Sequence, residues 1–429
     1  MHQFHYHHQS LYCENVSLTQ LATEYGTPLY VYSATTIREN FRRLNSALDP
    51  LDRMVCYAMK ANSNLSVINL LAQEGSGFDI VSGGELYRVL KAGGRADRCT
   101  FAGVGKTEGD IAYALREGIY CFNVESEAEL EVINRIAGSL GVKAPIAIRV
   151  NPNVDAQTHK YISTGKSQNK FGIGLDRASD VYKIAASLPH LKIRGVQTHI
   201  GSQILQTAPF AEALEKLIPL VQQLKKDYGI EFFSFGGGVG IVYKEALASG
   251  SKEWWTSSET QKITTEDYAK TIVPTLQKLG LRILFEPGRF LVGNAGVLLN
   301  KVLYVKETPA KNFVVVDGGM NDLIRPALYE GWHEIVPLKE PKTDAPLAPV
   351  DIVGPVCESG DFFAQDRELP PLKADDYIAL MSAGAYGFVM SSSYNSRPLL
   401  AEILVEGDKV MVARQRQTYE DLIQGEHQP

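Results

Sequence analysis

The stretch VCYAMKANSN, residues 55–64, decides how the rest of the chain is interpreted. Val55 to Met59 is a short, mostly apolar run of the kind found in buried strands, and the residues after it are small or turn-forming. Apolar residues recur at helical spacing from Leu65 onward. Lys60 is therefore predicted to lie where a buried strand gives way to a helix.

A lysine in that place has two interpretations. An unpaired ammonium group is costly to remove from water and tends to lose its proton, and the neutral amine is a nucleophile that can form a Schiff base. The alternative is a structural lysine whose stem carries its charge to solvent at the end of a strand. The stretch alone favours the structural lysine, so the choice depends on the rest of the chain.

Strand-like and helix-like runs alternate on both sides of Lys60, from residue 54 to residue 285. The strand-like runs are Met54–Met59, Gly77–Val81, Cys99–Val104, Tyr120–Val124, Pro145–Val150, Ile193–His199, Phe232–Phe235 and Arg282–Phe285. The helix-like segments cover residues 65–74, 84–92, 107–117, 126–140, 177–187, 208–227 and 265–279. This rhythm predicts a (β/α)8 barrel. An open, doubly wound sheet is the alternative, although no GxGxxG motif follows the first strand.

The chemistry of such a barrel lies at the carboxyl ends of its strands. Reading the residues at each predicted strand end is therefore a test of the fold. They are Lys60, Asp79, Gly103, Glu125, Arg149, His199, the triple glycine Gly236-Gly237-Gly238, and Glu286-Pro287-Gly288-Arg289. So many charged residues and glycines at these points indicate an active site.

The rhythm changes after residue 290. Strand-like runs at residues 302–305, 313–316, 351–353, 377–382 and 402–405 have turn residues rather than helices between them. At the other end of the chain, residues 11–33 are predicted to be irregular except for one strand over residues 28–32. We expect a barrel over residues 34–285, and an all-β domain over residues 1–33 and 286–429 that completes the active site.

Composition limits the kind of partner. The chain has 429 residues, 45% of them apolar, and a net charge of −6, so nothing favours nucleic acid or an anionic membrane. No apolar run is long enough to span a bilayer. Five cysteines without a CxxC pair favour the cytoplasm and no structural zinc. Four histidines near the N-terminus are more typical of a strand or coil edge than of a metal site.

A Schiff-base lysine needs a carbonyl partner, and pyridoxal 5'-phosphate is the common one. Its phosphate requires close backbone N–H groups, which the triple glycine can supply, although such a run is more often a flexible loop. Its pyridine nitrogen requires a carboxylate, for which Glu286 is the candidate. Its ring face requires a flat neighbour such as His199, whose alternative is a structural core histidine.

The motifs YAMKAN around Lys60, HIGSQ at residues 199–203, the triple glycine and EPGR at residues 286–289 resemble the fold-type III pyridoxal-phosphate-dependent decarboxylases. That family combines an alanine-racemase-like barrel with a β domain. The resemblance covers residues 5–420. Further stretches resemble the members that convert meso-diaminopimelate to L-lysine and CO2. These stretches are residues 151–164, 169–173, 323–329, 357–361 and 394–398, with Lys160 a small departure where the family often has proline.

The resemblance implies a role for each candidate residue. Lys60 forms the Schiff base, His199 stacks on the ring, Glu286 pairs with the pyridine nitrogen, and Asp79 and Arg149 support them. The phosphate side is assigned to Ser202, Gly237, Gly238, Glu286, Pro287, Gly288, Arg289 and Tyr386. Substrate binding is assigned to Arg289, Arg325, Tyr329, Glu358 and Tyr386. Cys357 is the proton donor, and Cys357 and Glu358 act in the partner's active site, which implies a homodimer.

Several alternatives stay open at the level of sequence. Arg325 can bond a turn carbonyl, Cys357 can be a buried structural thiol, and Glu358 can be a surface acid. A relative acting on ornithine, lysine, arginine or a polyamine precursor is a second enzyme hypothesis, against which Arg325, Tyr329 and Glu358 argue. A regulatory paralogue without activity is disfavoured by Lys60, Glu286 and Cys357. A racemase is disfavoured because that group generally places arginine where this chain has Glu286.

Overall fold

The computed structural model describes residues 1–155 and 170–428. The residues fall into two compact units. The barrel unit comprises Asn40–Ile241 and Gln261–Leu291, and the β unit comprises Met1–Glu39, Val242–Thr260 and Val292–Pro429. In the described part of the chain, no helix is both long and apolar enough to cross a membrane.

The strands of the described residues are numbered in chain order. They are β1 (Phe4–His7), β2 (Ser10–Cys13), β3 (Val16–Ser17), β4 (Leu29–Ser33), β5 (Arg53–Ala58), β6 (Gly77–Ile80), β7 (Cys99–Phe101), β8 (Cys121–Val124), β9 (Ala144–Asn151), β10 (Ile173–Gly174), β11 (Leu191–Gln197), β12 (Phe232–Ser234), β13 (Arg282–Phe285), β14 (Gly296–Glu307), β15 (Asn312–Val316), β16 (Ile335–Pro337), β17 (Ala348–Val353), β18 (Phe362–Leu369), β19 (Tyr377–Leu380), β20 (Ala401–Glu406) and β21 (Lys409–Arg414).

The α-helices follow the same order. They are α1 (Leu18–Tyr25), α2 (Ala34–Ala47), α3 (Leu65–Gln73), α4 (Gly83–Lys91), α5 (Glu108–Glu117), α6 (Glu127–Ser139), α7 (Leu175–Ser187), α8 (Ala208–Tyr228), α9 (Lys252–Ser257), α10 (Thr265–Leu276), α11 (Arg289–Val292), α12 (Arg325–Tyr329) and α13 (Tyr419–Leu422).

The barrel unit contains a closed sheet of eight parallel strands. Its order is β5-β6-β7-β8-β9-β11-β12-β13, and β13 pairs with β5 to close the ring. The short β10 pairs with the last two residues of β9, Val150 and Asn151. Buried residues such as Met54, Tyr120 and Phe232 fill the interior. The (β/α)8 barrel predicted from the apolar runs is confirmed, because closure through parallel neighbours excludes the open, doubly wound sheet.

The β unit is built on a mixed sheet with the path β18-β17-β15-β14-β4-β20-β21. Strand β4 lies in its interior, antiparallel to β14 and parallel to β20. Strand β19 joins β14 and also carries β16. The predicted β domain is confirmed as a fold, although it also contains short helices, of which α12 carries Arg325 and Tyr329.

The N-terminal region differs from the prediction. Residues 11–33 were expected to be irregular outside one strand, but β1, β2 and β3 form an antiparallel sheet and α1 follows directly. The segment Val242–Thr260 also belongs to the β unit, whereas the sequence analysis placed it in the barrel. Contacts within that unit explain its place: His2 Nε2 lies 2.7 Å from Ala246 O, and Leu247 N donates to Glu334 Oε2 at 2.6 Å.

Candidate active site

Lys60 lies at the carboxyl end of β5, as the first stretch predicts. The chain leaves β5 in a single 3-10 turn, Met59–Ala61, and Asn64 then caps α3 by accepting a hydrogen bond from Ser66 N at 2.8 Å. Lys60 Nζ is 3.2 Å from Asp79 Oδ2, with 39% of the lysine side chain exposed and only 1% of the aspartate. The amine of Lys60 is thus paired with a buried carboxylate rather than buried alone.

Glu286 is a buried carboxyl group held from three sides. Ser234 Oγ donates to Glu286 Oε1 at 2.6 Å, Gln197 Nε2 donates to Oε2 at 2.8 Å, and Asn123 Nδ2 donates to Oε1 at 3.4 Å. Burial, with the charge of Asp79 adding to it, raises the pKa of Glu286 to about 7. The site therefore holds an acid near its titration point, with its oxygens fixed by neutral donors.

His199 lies just beyond β11 with its ring orientation fixed by the glycine loop. Gly237 N donates to His199 Nδ1 at 3.2 Å, so Nδ1 is an acceptor and any single ring proton is on Nε2. Burial, and then the positive charges of Lys60 and Arg149, lower the pKa of His199 well below its ordinary value. The structure therefore presents a neutral imidazole whose flat face can stack on a cofactor ring.

The triple glycine Gly236–Gly238 is required by close backbone packing. A Cβ at Gly237 would overlap the carbonyl oxygen of Glu286, and a Cβ at Gly238 would lie 2.5 Å from the carbonyl oxygen of Gly201. Gly236 and Gly238 also have positive φ values of 70° and 105°. The loop is thus a fixed element rather than a flexible run, and it brings backbone close to the strand ends where an anion would bind.

Two arginines of the barrel unit are positioned by neighbouring polar groups. Arg289 Nη2 donates to Ser202 Oγ at 3.2 Å, which joins two residues assigned to the phosphate side. Arg149 Nη1 donates to Glu125 Oε1 at 3.0 Å, and Gly103 N and Gly172 N donate to the same carboxylate at 3.0 Å. Both arginine side chains are buried.

The barrel residues fit pyridoxal phosphate. They supply an amine on Lys60, a buried acid on Glu286, a neutral ring on His199, a glycine loop that excludes any Cβ, and a buried cation on Arg289. These are the groups that its aldehyde, pyridine nitrogen, ring face and phosphate require. Eleven predicted site residues belong to the barrel unit and lie near or beyond the carboxyl ends of its strands. Residues 286–289 are among them, although the sequence analysis placed these four in the β domain.

The other predicted residues lie in the β unit. Arg325 is buried in α12, and Tyr329 follows one helical turn later on the same helix. Tyr386 adopts φ 55°, a conformation that is rare for a large side chain and is often found at binding sites. The backbone N–H of Cys357 donates to Asn395 Oδ1 at 3.1 Å, in a loop separate from α12.

Cys357 and Glu358 are exposed in the single chain, whereas Cys13, Cys56, Cys99 and Cys121 are buried. Their loop is ordered by Asp361, whose carboxylate accepts from Val356 N and Met320 N at 2.6 Å each. The interpretation of Cys357 as a buried structural thiol is therefore wrong. Of the stretches that the sequence analysis named, residues 156–164, including Lys160, and residue 169 lie outside the described residues.

Sequence reasoning missed the residues that surround the acid. Asn123, Gln197 and Ser234 are polar residues within strands rather than after them, so a reading of strand ends passed over them. The feature that could have identified them is a single polar residue within an otherwise apolar strand, at a position that faces inward. His333, eight residues after Arg325, was also missed.

Comparison with known proteins gives the same result as the geometry. Residues 34–293 match the family described as pyridoxal-dependent decarboxylase, pyridoxal binding domain. The diaminopimelate decarboxylase of Vibrio cholerae is 49% identical over 96% of this chain and 95% of its own length. That of Pseudomonas aeruginosa is also 49% identical, over 99% of both chains.

A solved structure extends the comparison. The crystal structure of diaminopimelate decarboxylase from M. jannaschii in co-complex with L-lysine is 37% identical, with a TM-score of 0.91 over 100% of this chain and 98% of that one. Near-complete coverage in sequence and structure includes both units. The chain therefore belongs to the diaminopimelate decarboxylases of the pyridoxal-dependent decarboxylase family.

Proposed function

We propose that this protein uses pyridoxal 5'-phosphate to decarboxylate meso-2,6-diaminopimelate to L-lysine and CO2, the last step of bacterial lysine biosynthesis. The observation that carries this proposal is the complete rim of the barrel, with Lys60, Glu286 and the glycine loop, in a chain nearly half identical to diaminopimelate decarboxylases over its whole length. The enzyme is thus a carboxy-lyase.

When bound, pyridoxal phosphate supplies an electrophilic aldehyde carbon and a ring that withdraws electrons from the bond to be broken. Lys60 Nζ is the amine that would hold the aldehyde, and the buried carboxylate of Asp79, 3.2 Å away, would orient it. Glu286 would retain a proton on the pyridine nitrogen. Its three neutral donors fix the carboxylate oxygens without competing for that positive charge.

The remaining barrel residues orient the cofactor. A neutral His199 adds no positive charge against the ring face, and Gly237 N–H prevents its imidazole from turning. Arg289, through its bond to Ser202, places a fixed cation for the phosphate, next to the close-packed backbone of Gly238. Arg149 is oriented by Glu125 and supports this arrangement.

Substrate recognition is assigned to residues of the β unit together with Arg289. Diaminopimelate has an amino-acid group at each end, so the enzyme must bind one end and react at the other. A guanidinium fork matches a carboxylate in two hydrogen bonds, and Arg325 with Tyr329 would bind the carboxylate that the product retains. Glu358 would bind the distal ammonium group, and Tyr386 would contact cofactor and substrate.

Cys357 would return a proton from Sγ to the carbon that loses CO2. Its exposure in the single chain suits the proposal that Cys357 and Glu358 complete the active site of a partner subunit in a homodimer. All five cysteines are free, which suits the further proposal that the enzyme works in the cytoplasm.

The experiment is a product assay with added pyridoxal phosphate on meso-diaminopimelate, L-ornithine, L-lysine and L-arginine. We expect L-lysine and CO2 from the first substrate alone. Decarboxylation of one of the other amino acids would leave the barrel site in place but would refute the assignment of Arg325, Tyr329 and Glu358. No product from any of the four would refute the proposed function itself.

A further inference from the structure

Arg325 is held by a buried histidine, His333, which lies outside the sequence motif that contains Arg325. Arg325 Nη1 lies 2.6 Å from His333 Nε2, and His333 Nδ1 lies 2.7 Å from the carbonyl oxygen of Met381. A carbonyl oxygen only accepts, so Nδ1 carries the imidazole proton. A guanidinium only donates, so Nε2 accepts from Arg325. The two partners together fix one neutral tautomer.

The backbone around His333 is itself immobilised. Arg367 Nη1 donates to the carbonyl oxygen of His333 at 2.7 Å, and Met381 N donates to the carbonyl oxygen of Glu334 at 2.8 Å. The second bond extends the antiparallel pairing of β16 with β19, in which Ile335 is opposite Leu380. His333 is fully buried, so the position of its Nε2 is set by the sheet.

A second contact restrains the same guanidinium. The central carbon of Arg325 lies 4.5 Å from the centre of the Tyr243 ring, and Tyr243 packs edge-on against His333 at 5.2 Å between ring centres. A guanidinium has five N–H donors, so the bond from Nη1 to His333 is compatible with a bidentate grip on a carboxylate. The histidine fixes the in-plane rotation of the group, and the tyrosine fixes its plane.

We propose that His333 is a positioning residue for substrate recognition, which acts by holding Arg325 through Nε2. This inference rests on the proposed function, in which Arg325 binds the retained carboxylate. His333 offers Arg325 a neutral acceptor in place of a carboxylate, and so leaves the positive charge of Arg325 for the ligand. A competing Asp or Glu at that position would neutralise it.

Two substitutions separate the two bonds of His333. In His333→Asn the side-chain amide can still donate to Met381 O but is too short to accept from Arg325. In His333→Gln the longer amide places an acceptor near the position of Nε2. Arg325→Ala is the reference for complete loss, and His190→Asn, at a half-buried histidine of the barrel unit, is the matched control.

The assay is calorimetric binding of L-lysine and of 1,5-diaminopentane, which is L-lysine without its carboxylate, to the pyridoxal-phosphate-loaded enzyme. We expect His333→Asn to weaken L-lysine binding roughly tenfold, since a hydrogen bond to a charged group is lost. Binding of the diamine should stay within about twofold. His333→Gln should recover most of the L-lysine affinity, and His190→Asn should match wild type.

Each other result overturns the inference. Equal weakening of both ligands by His333→Asn would mean a structural role for the histidine. Suppose that Arg325→Ala weakens the binding of L-lysine but not of the diamine, while His333→Asn binds L-lysine normally. The inference about His333 then fails, and the proposed function stands. If Arg325→Ala itself binds L-lysine normally, the assignment of Arg325 in the proposed function fails, and the inference fails with it.

Discussion

Glu286 allows a quantitative test of the cofactor site in the protein without cofactor. Burial raises the pKa of this carboxyl group from 4.5 to about 7. The folded state therefore binds a proton more tightly than the unfolded state. The stability contributed by this group falls as pH rises from 4.5 to about 7, and it is then constant. At about 1.4 kcal/mol per pH unit, the ionised group costs the apo-protein about 3 kcal/mol above pH 7.

Replacing Glu286 with glutamine should remove that cost. At pH 5 the native group is mostly protonated and resembles the amide, so apo-forms of wild type and Glu286→Gln should unfold at similar urea concentrations. At pH 8 the variant should be more stable by about 3 kcal/mol. Other buried acids, such as Glu85, whose pKa burial also raises to about 7, contribute equally to both proteins and cancel in the difference.

The control is Glu231→Gln, at an acid whose pKa is shifted in the opposite direction. The Arg194 and Lys192 side chains that bond to Glu231 outweigh burial and lower its pKa, so this substitution should destabilise the protein at pH 8 and have less effect at lower pH. A stability difference between Glu286→Gln and wild type that does not change between pH 5 and pH 8 would refute the reasoning.

With pyridoxal phosphate bound, the gain in stability of Glu286→Gln at pH 8 should shrink. Turnover should be lost, because the pyridine nitrogen loses its carboxylate.

Three further substitutions test the rest of the rim. Lys60→Ala should abolish turnover and cofactor attachment, read from the absorbance of the bound cofactor, while circular dichroism stays native; near-wild-type turnover would exclude the Schiff-base role. Gly237→Ala should reduce cofactor affinity at least about tenfold because its Cβ overlaps Glu286 O, whereas Gly105→Ala, where a Cβ meets nothing within 4 Å, should bind normally. Glu125→Gln loses one of the acceptor oxygens shared by Arg149, Gly103 and Gly172, and should lower both stability, by roughly 1–3 kcal/mol, and cofactor affinity in dialysis. Unchanged values of both would mean that Glu125 does not position Arg149.

The barrel was predictable because its strands are buried on both faces. Such strands appear in the sequence as continuous apolar runs, and β5, β9 and β13 begin or end within one residue of the predicted bounds. Strands of the β unit that lie at edges were missed. β21 is largely exposed and β18 carries several charged residues, so neither shows the apolar run of a buried strand.

Site residues were predictable where the functional side chain directly follows a strand. They were not predictable where a side chain acts by positioning another side chain. Lys60, His199 and Glu286 mark the ends of apolar runs, so the barrel geometry alone brings them together. The donors to Glu286 come from three different strands, so their meeting depends on closure of the sheet. His333 reaches Arg325 only because β16 pairs with β19, and no local pattern encodes that pairing.

The YAMKAN and EPGR motifs, which lie far apart in the sequence, form one physical unit. Ala58 N, at the end of β5, donates to Pro287 O at 3.0 Å, and a Cβ at Gly288 would lie 3.0 Å from Ala58 O and 3.1 Å from Ala61 Cβ. The turn that carries Lys60 is thus packed against the turn that carries Glu286, with a glycine at the point of contact. A shift of either turn moves the other, so the amine that would hold the cofactor aldehyde and the acid that would meet its ring nitrogen keep a constant separation. This mutual fixing explains why both motifs occur together at the point where β13 closes the barrel onto β5.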